Sequence, residues 1–287
     1  MPPHTKALVA TTGDYLTRLW KNAPEDIVQV RGTMQYGDEL KYLSVKFDPE
    51  EFPNGIELLM ITDVQYGHMS CKVERVIEFR DWVLAKPNRF VFFGGDLVDA
   101  ATVISIASPY ENTVEPQGQV YRFVELMMPM RHRVIGFVGG NHERRGVKTF
   151  GDLGHLLATL LKIPYSSGTQ YIDIHYGEHE PFKVSLWHGG TGSRTKGAKA
   201  QMLHRFMGRG DSQLYLVGHL HDVVLLFDWR EKRQNKKIRL EKFAGVMSSS
   251  FLEYWGTYAE TAGMAPSDTM MARCILEPSG KWEITLR

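Results

Sequence analysis

The sequence predicts an α/β fold, on three observations. Apolar runs of strand length recur, and several end in short islands of polar side chains suited to binding metal. Segments with helical spacing of apolar residues alternate with those runs as far as about residue 161. Beyond residue 170 the chain turns to strands, interrupted by one helix. Strand–island–helix units in series predict a mainly parallel central sheet, with ligands gathered at the carboxyl ends of its strands.

The elements follow in order. In 41–47, Leu43, Val45 and Phe47 alternate, the period of a half-buried strand, and Asp48-Pro49 and Pro53-Asn54-Gly55 then break the chain. Residues 56–62 are an apolar strand running into Asp63. Residues 70–86 carry Val73, Val76, Ile77, Phe79 and Val83, a single apolar helical stripe. Residues 90–93 run as a strand into Gly94-Gly95-Asp96, and 119–128 are helical with Pro129 as the stop. Residues 134–138 run as a strand into Gly139-Gly140-Asn141, and 150–161 form a third helix. The strands 171–175, 182–187, 213–217, 223–227, 238–246, 272–276 and 282–286 follow, with a helix over about 196–208. Residues 1–55 stand apart as an N-terminal extension packed on a main domain of 56–287.

Composition narrows the class. A chain of 287 residues buries a core without covalent staples. A net charge of +1 gives no global field toward nucleic acid or a membrane. Cys71 and Cys274 read as unpaired thiols in a reducing compartment. The start of the chain lacks a signal-peptide pattern and no run is long enough to span a bilayer, so the expected setting is cytoplasmic. The oligomeric state is not legible.

The islands are Asp63-Val64-Gln65, Gly95-Asp96-Leu97-Val98-Asp99, Gly140-Asn141-His142-Glu143, His188-Gly189-Gly190 and Gly218-His219-Leu220-His221. Asp96 follows two glycines, which let the backbone turn sharply and bring its carboxylate close to a cation. A carboxylate can bridge two cations about 3.5–4 Å apart, the separation used for displacement at phosphorus. Asn141 offers a carbonyl oxygen, and His188, His219 and His221 offer imidazole nitrogens. His219 and His221 alternate along an extended segment and so face the same way. This mixed nitrogen and oxygen set suits Mn²⁺, Fe²⁺, Zn²⁺ or Co²⁺ better than Mg²⁺ or Ca²⁺. Singly each island is an ordinary turn; the ordered set is what points to a metal site.

As a set, over about residues 56–222, the islands resemble the calcineurin-like metallophosphoesterase superfamily. Its pattern is Asp-x-His, Gly-Asp-x-x-Asp, Gly-Asn-His-Asp/Glu, a lone His and Gly-His-x-His. The resemblance implies a four-layer α/β/β/α sandwich and two divalent metals, Mn²⁺ first among the candidates. One metal would take Asp63, Gln65, Asp96 and His221, and the other Asp96, Asn141, His188 and His219. His142 would meet the phosphate and act as general acid, with Asp99 orienting it. A carboxylate beside an imidazole also keeps it charged against two cations. The expected reaction is hydrolysis of a phosphate ester by a metal-bound hydroxide. The chain departs from the pattern at Gln65, where the superfamily has histidine. Weaker binding of the first metal, a water in place of the ligand, or recruitment of His68 are the open outcomes.

Substrate contacts are sought next to the islands. Arg144 and Arg145 either clamp a phosphate in bidentate fashion or are solvated loop residues. The glycine-rich run from His188 to Arg194 either brings backbone N–H groups near a phosphate or forms a flexible rim. Lys196, Lys199, Arg205 and Arg209, and a basic hairpin tip from Arg230 to Lys237, tilt the expectation toward a phosphodiester, a nucleotide or a nucleic acid. Phosphomonoester or phosphoprotein hydrolysis, and a non-catalytic metal-binding scaffold, are the alternatives.

Overall fold

The computed structural model describes residues 21, 23, 29–34, 40–103, 105, 108–147, 151–190, 192–234 and 236–287. The start of the chain, Phe150 at the head of the predicted third helix and Thr191 of the glycine-rich run lie outside them. The strands are β1 (Gln29–Met34), β2 (Leu40–Phe47), β3 (Ile56–Ile61), β4 (Arg89–Phe93), β5 (Val134–Val138), β6 (Tyr165–Ser166), β7 (Gln170–Tyr176), β8 (Phe182–Trp187), β9 (Leu214–Val217), β10 (Val224–Gln234), β11 (Lys237–Met247), β12 (Ala272–Leu276) and β13 (Trp282–Leu286). The main helices are α1 (Val73–Leu84), α2 (Pro116–Met127), α3 (Leu153–Leu161) and α4 (Lys196–Met207).

The strands form two mixed sheets rather than one mainly parallel sheet. Seven run in the order β1-β2-β7-β8-β9-β11-β10 and six in the order β13-β12-β3-β4-β5-β6. The expected parallel series is β3-β4-β5-β6. Antiparallel β12 and β13 extend that sheet at one edge. In the other sheet β8, β9 and β11 are parallel neighbours.

Side-chain alternation along the buried strands makes the layers. In β3, Leu58 and Met60 point between the sheets, while Leu59 and Ile61 point to the helices. In β4, Phe90 and Phe92 enter the inter-sheet core, while Val91 and Phe93 pack under α1 and α2 with Val76, Val83 and Phe123. In β9, Leu214 and Leu216 face inward, while Tyr215 and Val217 meet Leu203 and Phe206 of α4. Strands buried on both faces read as unbroken apolar runs, as 56–61 and 90–93 do. The architecture is a four-layer α/β/β/α sandwich.

Helix ends follow local chemistry. Pro116 opens α2 at its first turn, where a missing N–H costs nothing. Pro129 does not stop the chain's helical course: α2 ends at Met127 and a 3₁₀ segment, Met128–Arg133, continues through it. Asp152 caps α3 by accepting from Gly154 and His155, and Thr195 caps α4 by accepting from Ala198. The predicted strand at 41–47 is β2, an inner strand of the seven-stranded sheet, with Leu43, Val45 and Phe47 buried between the sheets. Among the described residues no helix is long and apolar enough to cross a membrane.

Candidate metal centre

Five parallel strands deliver the islands. β3, β4 and β5 of one sheet end at Asp63, Asp96 and Asn141; β8 and β9 of the other end at His188 and His219. All five stop at one side of the sandwich, where the two sheets' loops meet. The turns are tight. Asp63, Gln65, Asp96, His219 and His221 all have positive φ, between 47° and 71°. For residues with a Cβ that conformation costs about 1 kcal/mol or more each, so surrounding contacts must impose it.

Those contacts are visible. Glu143 is fully buried, and its carboxylate accepts the backbone N–H groups of Asp96 (3.0 Å), Leu97 (2.5 Å) and Gly140 (2.9 Å), with Val98 at 3.4 Å. One side chain thus fixes two islands at once. The backbones are so close that a Cβ on Gly140 would stand 2.0 Å from Asp96 Oδ1. Asp63 Oδ2 accepts from Thr62 Oγ1 (2.6 Å) and from the His219 N–H (2.8 Å), which ties one sheet's loop to the other's. Behind His221, Asp222 is held by Lys196 (2.6 Å) and by the buried Lys199 (3.0 Å), and Lys199 also donates to the Leu220 carbonyl (3.1 Å). Glu143, Thr62 and Asp222 were not among the expected site residues: Glu143 acts on backbone N–H groups, Asp222 on lysines over twenty residues away, and Thr62 only supports the neighbouring Asp63. The two lysines expected to meet phosphate instead anchor the histidine loop.

The donor atoms gather into two adjoining groups. Asp96, His188 and His219 present ligand atoms all within 4.8 Å of one another. His188 Nε2 lies 3.1 Å from Asp96 Oδ2 and 3.3 Å from Asn141 Oδ1, and its Nδ1 donates to the Gly94 carbonyl (2.7 Å), which fixes the ring so that Nε2 is the nitrogen a cation would take once its proton is displaced. In the second group His221 Nε2 lies 3.1 Å from Asp63 Oδ1 and 3.2 Å from the Gln65 amide nitrogen. Half a turn of that amide would present its carbonyl oxygen in the same place. Asp63 Oδ1 is buried with no hydrogen bond. An orphaned carboxylate oxygen beside imidazoles fits a cation, and so does the chemistry of the whole donor set.

The electrostatics agree. Burial works against charge on the His188 imidazole, but Asp96 and Asp63 outweigh it and lift its pKa to about 10. Burial likewise opposes ionisation of Asp63, yet His221 and His188 hold its pKa below the usual carboxylate range; His142 and His188 do the same for Asp96. His219 moves down, through burial and the neighbouring His188. Glu143 moves up, through burial and the nearby Asp96 charge.

His142 sits behind Asp96. Its Nδ1 is 3.0 Å from the Asp99 carbonyl and 3.0 Å from Asp99 Oδ1, and its Nε2 is 3.0 Å from Arg145 Nη2. Two influences compete on this ring. Burial and Arg145 favour the neutral form, because a guanidinium can only donate and so needs a lone pair on Nε2. Asp96 and Asp99 favour the charged form and prevail, raising the pKa above its ordinary value. Arg145 is turned inward on Asp99, donating to its carbonyl (2.6 Å) and to Oδ1 (3.1 Å).

Arg144 points the other way. It is exposed and lines a cavity of about 390 Å³ with Asn141, His188, His219, Trp187 and the Gly189-Gly190 backbone. Arg194 is exposed and is not among the residues lining that cavity. His68 is engaged elsewhere, accepting from the Ser70 N–H and meeting Glu111 Oε2 at 3.3 Å. Much of the basic hairpin is committed to internal pairs: Arg230 to Glu241, and Lys232 to Glu241 and Glu180.

No protein-family model matches the chain, and no curated protein matches it. The solved structures similar to it include two of low identity. One is a conserved uncharacterised protein, a predicted phosphoesterase, from Streptococcus pneumoniae: 14% identical, over 81% of this chain and 98% of that one, with a TM-score of 0.34. The other is the NAD nucleotidase of Haemophilus influenzae: 13% identical, over 80% of this chain and 49% of that one, so the match spans about half of the nucleotidase, with a TM-score of 0.39.

Proposed function

We propose that this protein is a phosphoesterase of the calcineurin-like metallophosphoesterase type, with Gln65 where the superfamily carries histidine. Asp63, Gln65, Asp96 and His221 would hold one divalent cation, and Asp96, Asn141, His188 and His219 the other, with Mn²⁺ the first candidate. Such a pair, when bound, supplies an activated water and neutralises charge growing at phosphorus. The observation that carries the proposal is the convergence of these donors from both sheets around Asp96, five of the seven held in left-handed turns, with an orphaned Asp63 oxygen beside them.

The chain's own residues then have distinct tasks. Asp99 fixes the His142 ring and, with Asp96, favours its charged form. His142 gives its Nε2 proton to the leaving oxygen once Arg145 has moved off that nitrogen. Arg144 meets charge or polarity on the part of the substrate beyond the scissile phosphate. The substrate class we propose is a small phosphodiester or nucleotide. The cavity volume and Arg144 support it; an extended nucleic-acid track loses support, because Lys196, Lys199, Arg230 and Lys232 have partners within the chain.

The test is a Mn²⁺ panel: a monoester reporter, a bis-ester reporter, cyclic nucleotides, and single- and double-stranded DNA, with Asp96→Asn and His142→Gln alongside. The expected result is bis-ester and nucleotide turnover, lost in Asp96→Asn and reduced about 10²–10⁴-fold in His142→Gln. Turnover confined to the monoester would refute the substrate class. A parent with no turnover of any ester in any of the four metals would leave a binding scaffold and refute the enzyme.

A further inference from the structure

The hairpin of β10 and β11 overhangs the rest of the sandwich. The two strands pair along their whole length, from Val224↔Met247 to Gln234↔Lys237, but β9 supports β11 only from Ala244 to Met247. Beyond that point the hairpin has no third strand among the described residues, and a two-stranded ribbon alone is marginal in water.

Its two faces differ. On one, Arg230 pairs with Glu241, and Lys232 with Glu241 and Glu180. The other continues the inter-sheet core. Leu225 and Val246 belong to that core, and the same face runs outward through Phe227, Trp229, Leu240 and Ile238. The six-stranded sheet ends short of them. Trp282 of its edge strand β13 reaches only Lys242, whose Nζ lies 4.2 Å from the ring centre. Among the described residues the four apolar side chains stay 49, 60, 67 and 66% exposed in the order given, with the Lys242 ammonium 5.6 Å from the Phe227 ring centre.

We propose that a second copy of this chain covers this face. At about 200–250 Å² per aromatic and ~150 Å² per aliphatic side chain, those exposures leave about 450 Å² of apolar surface. A standard interface takes roughly 800 Å² from each partner, somewhat over half of it apolar, so the two areas match. The charges on the same face, Glu231 against Arg233 and Lys242, are complementary to themselves under a two-fold axis. The contact would rigidify both arms and extend the inter-sheet core across the dimer. It does not depend on the reaction proposed above.

Light scattering on the full chain after size exclusion, from 1 to 100 µM, tests this. The expected mass is twice 32.7 kDa. A Trp229→Glu/Leu240→Glu variant is expected to weaken association at least about tenfold. Amide exchange of the parent over 227–242, at the two ends of that range, does not depend on the variant's folding and is expected to slow at the higher concentration. A parent that stays monomeric at 100 µM, or one whose mass doubles across the range while exchange over 227–242 stays the same, would overturn the proposal; the face would then belong to residues 1–28 of the same chain or to a different protein.

Discussion

Replacing Glu143 by alanine tests how the centre is built. The carboxylate accepts three close backbone N–H bonds and one longer one, in a place sealed from solvent. Charge-assisted bonds of this kind contribute about 1.5–3 kcal/mol each, so the three close ones sum to roughly 5–9 kcal/mol. Two effects reduce that sum. Water can enter the vacated space and satisfy some donors. Removing an anion that burial and Asp96 already disfavour also relieves repulsion. A net loss of about 3–5 kcal/mol remains, at the upper end of single-residue effects. For a chain of this size that lowers Tm by roughly 5–8 °C. Asp96 and Gly140 should lose their fixed turns together, so bound metal should fall with Tm. The assay is thermal unfolding by circular dichroism with metal content measured on the same samples. A Glu143→Ala variant melting within 2 °C of the parent, with full metal, would refute the idea that this one side chain holds two islands.

Two further outcomes are expected. Lys199→Met removes a buried donor to Asp222 and to the Leu220 carbonyl, while Lys196 remains as a counter-charge; a loss of about 2 kcal/mol and weaker metal retention should follow, read by thermal melts and by metal loss to a chelator. The His188 imidazole, lifted to about 10 in the metal-free protein, gives a pH signature. Because its folded pKa is raised, its contribution is complete below about pH 6.5 and fades as pH climbs through 10. A metal ion on His188 must displace that proton, so affinity rises with pH. The Tm gap between metal-loaded and stripped protein should therefore widen from pH 6 to pH 9; a constant gap would contradict the assignment of His188 as a ligand.

What the sequence makes legible is what is local. The runs ending at Asp63, Asp96 and Asn141 can be read as strand ends because burial on both faces leaves no polar alternation and a glycine or polar turn follows. The histidine pair can be picked out, but not its geometry: the segment expected to be extended is a turn, with His219 and His221 both at positive φ and each in a different donor group. What escapes is what depends on the far side of the fold. Glu143 stands next to His142 in sequence, yet its partners are the backbones of Asp96, Leu97 and Gly140, and backbone donors leave no trace in composition. Lys196 and Lys199 resemble a phosphate-seeking pair until Asp222 is brought to them, and Arg230 and Lys232 until Glu241 is. Their partners lie 9 to 26 residues off, across a hairpin or a loop. β6 escapes because two residues carry no period, whereas β8, α4 and β9 form a strand–helix–strand unit with parallel strands, the arrangement that the series of apolar runs and helical spacings suggests.

The left-handed turns have a consequence for how the protein comes to hold its ions. The aspartates, Gln65 and Asn141 hang from one sheet and the histidine ligands from the other, and most of these residues sit in a conformation a free chain avoids. An ion meeting the unfolded polypeptide finds only a short pair within reach, His219 with His221 or Asp63 with Gln65, so it is a weak seed for the structure. The sandwich has to close first and create the vacancy; capture comes second. On the proposed function, protein made without divalent metal would fold first and take up the ions afterwards.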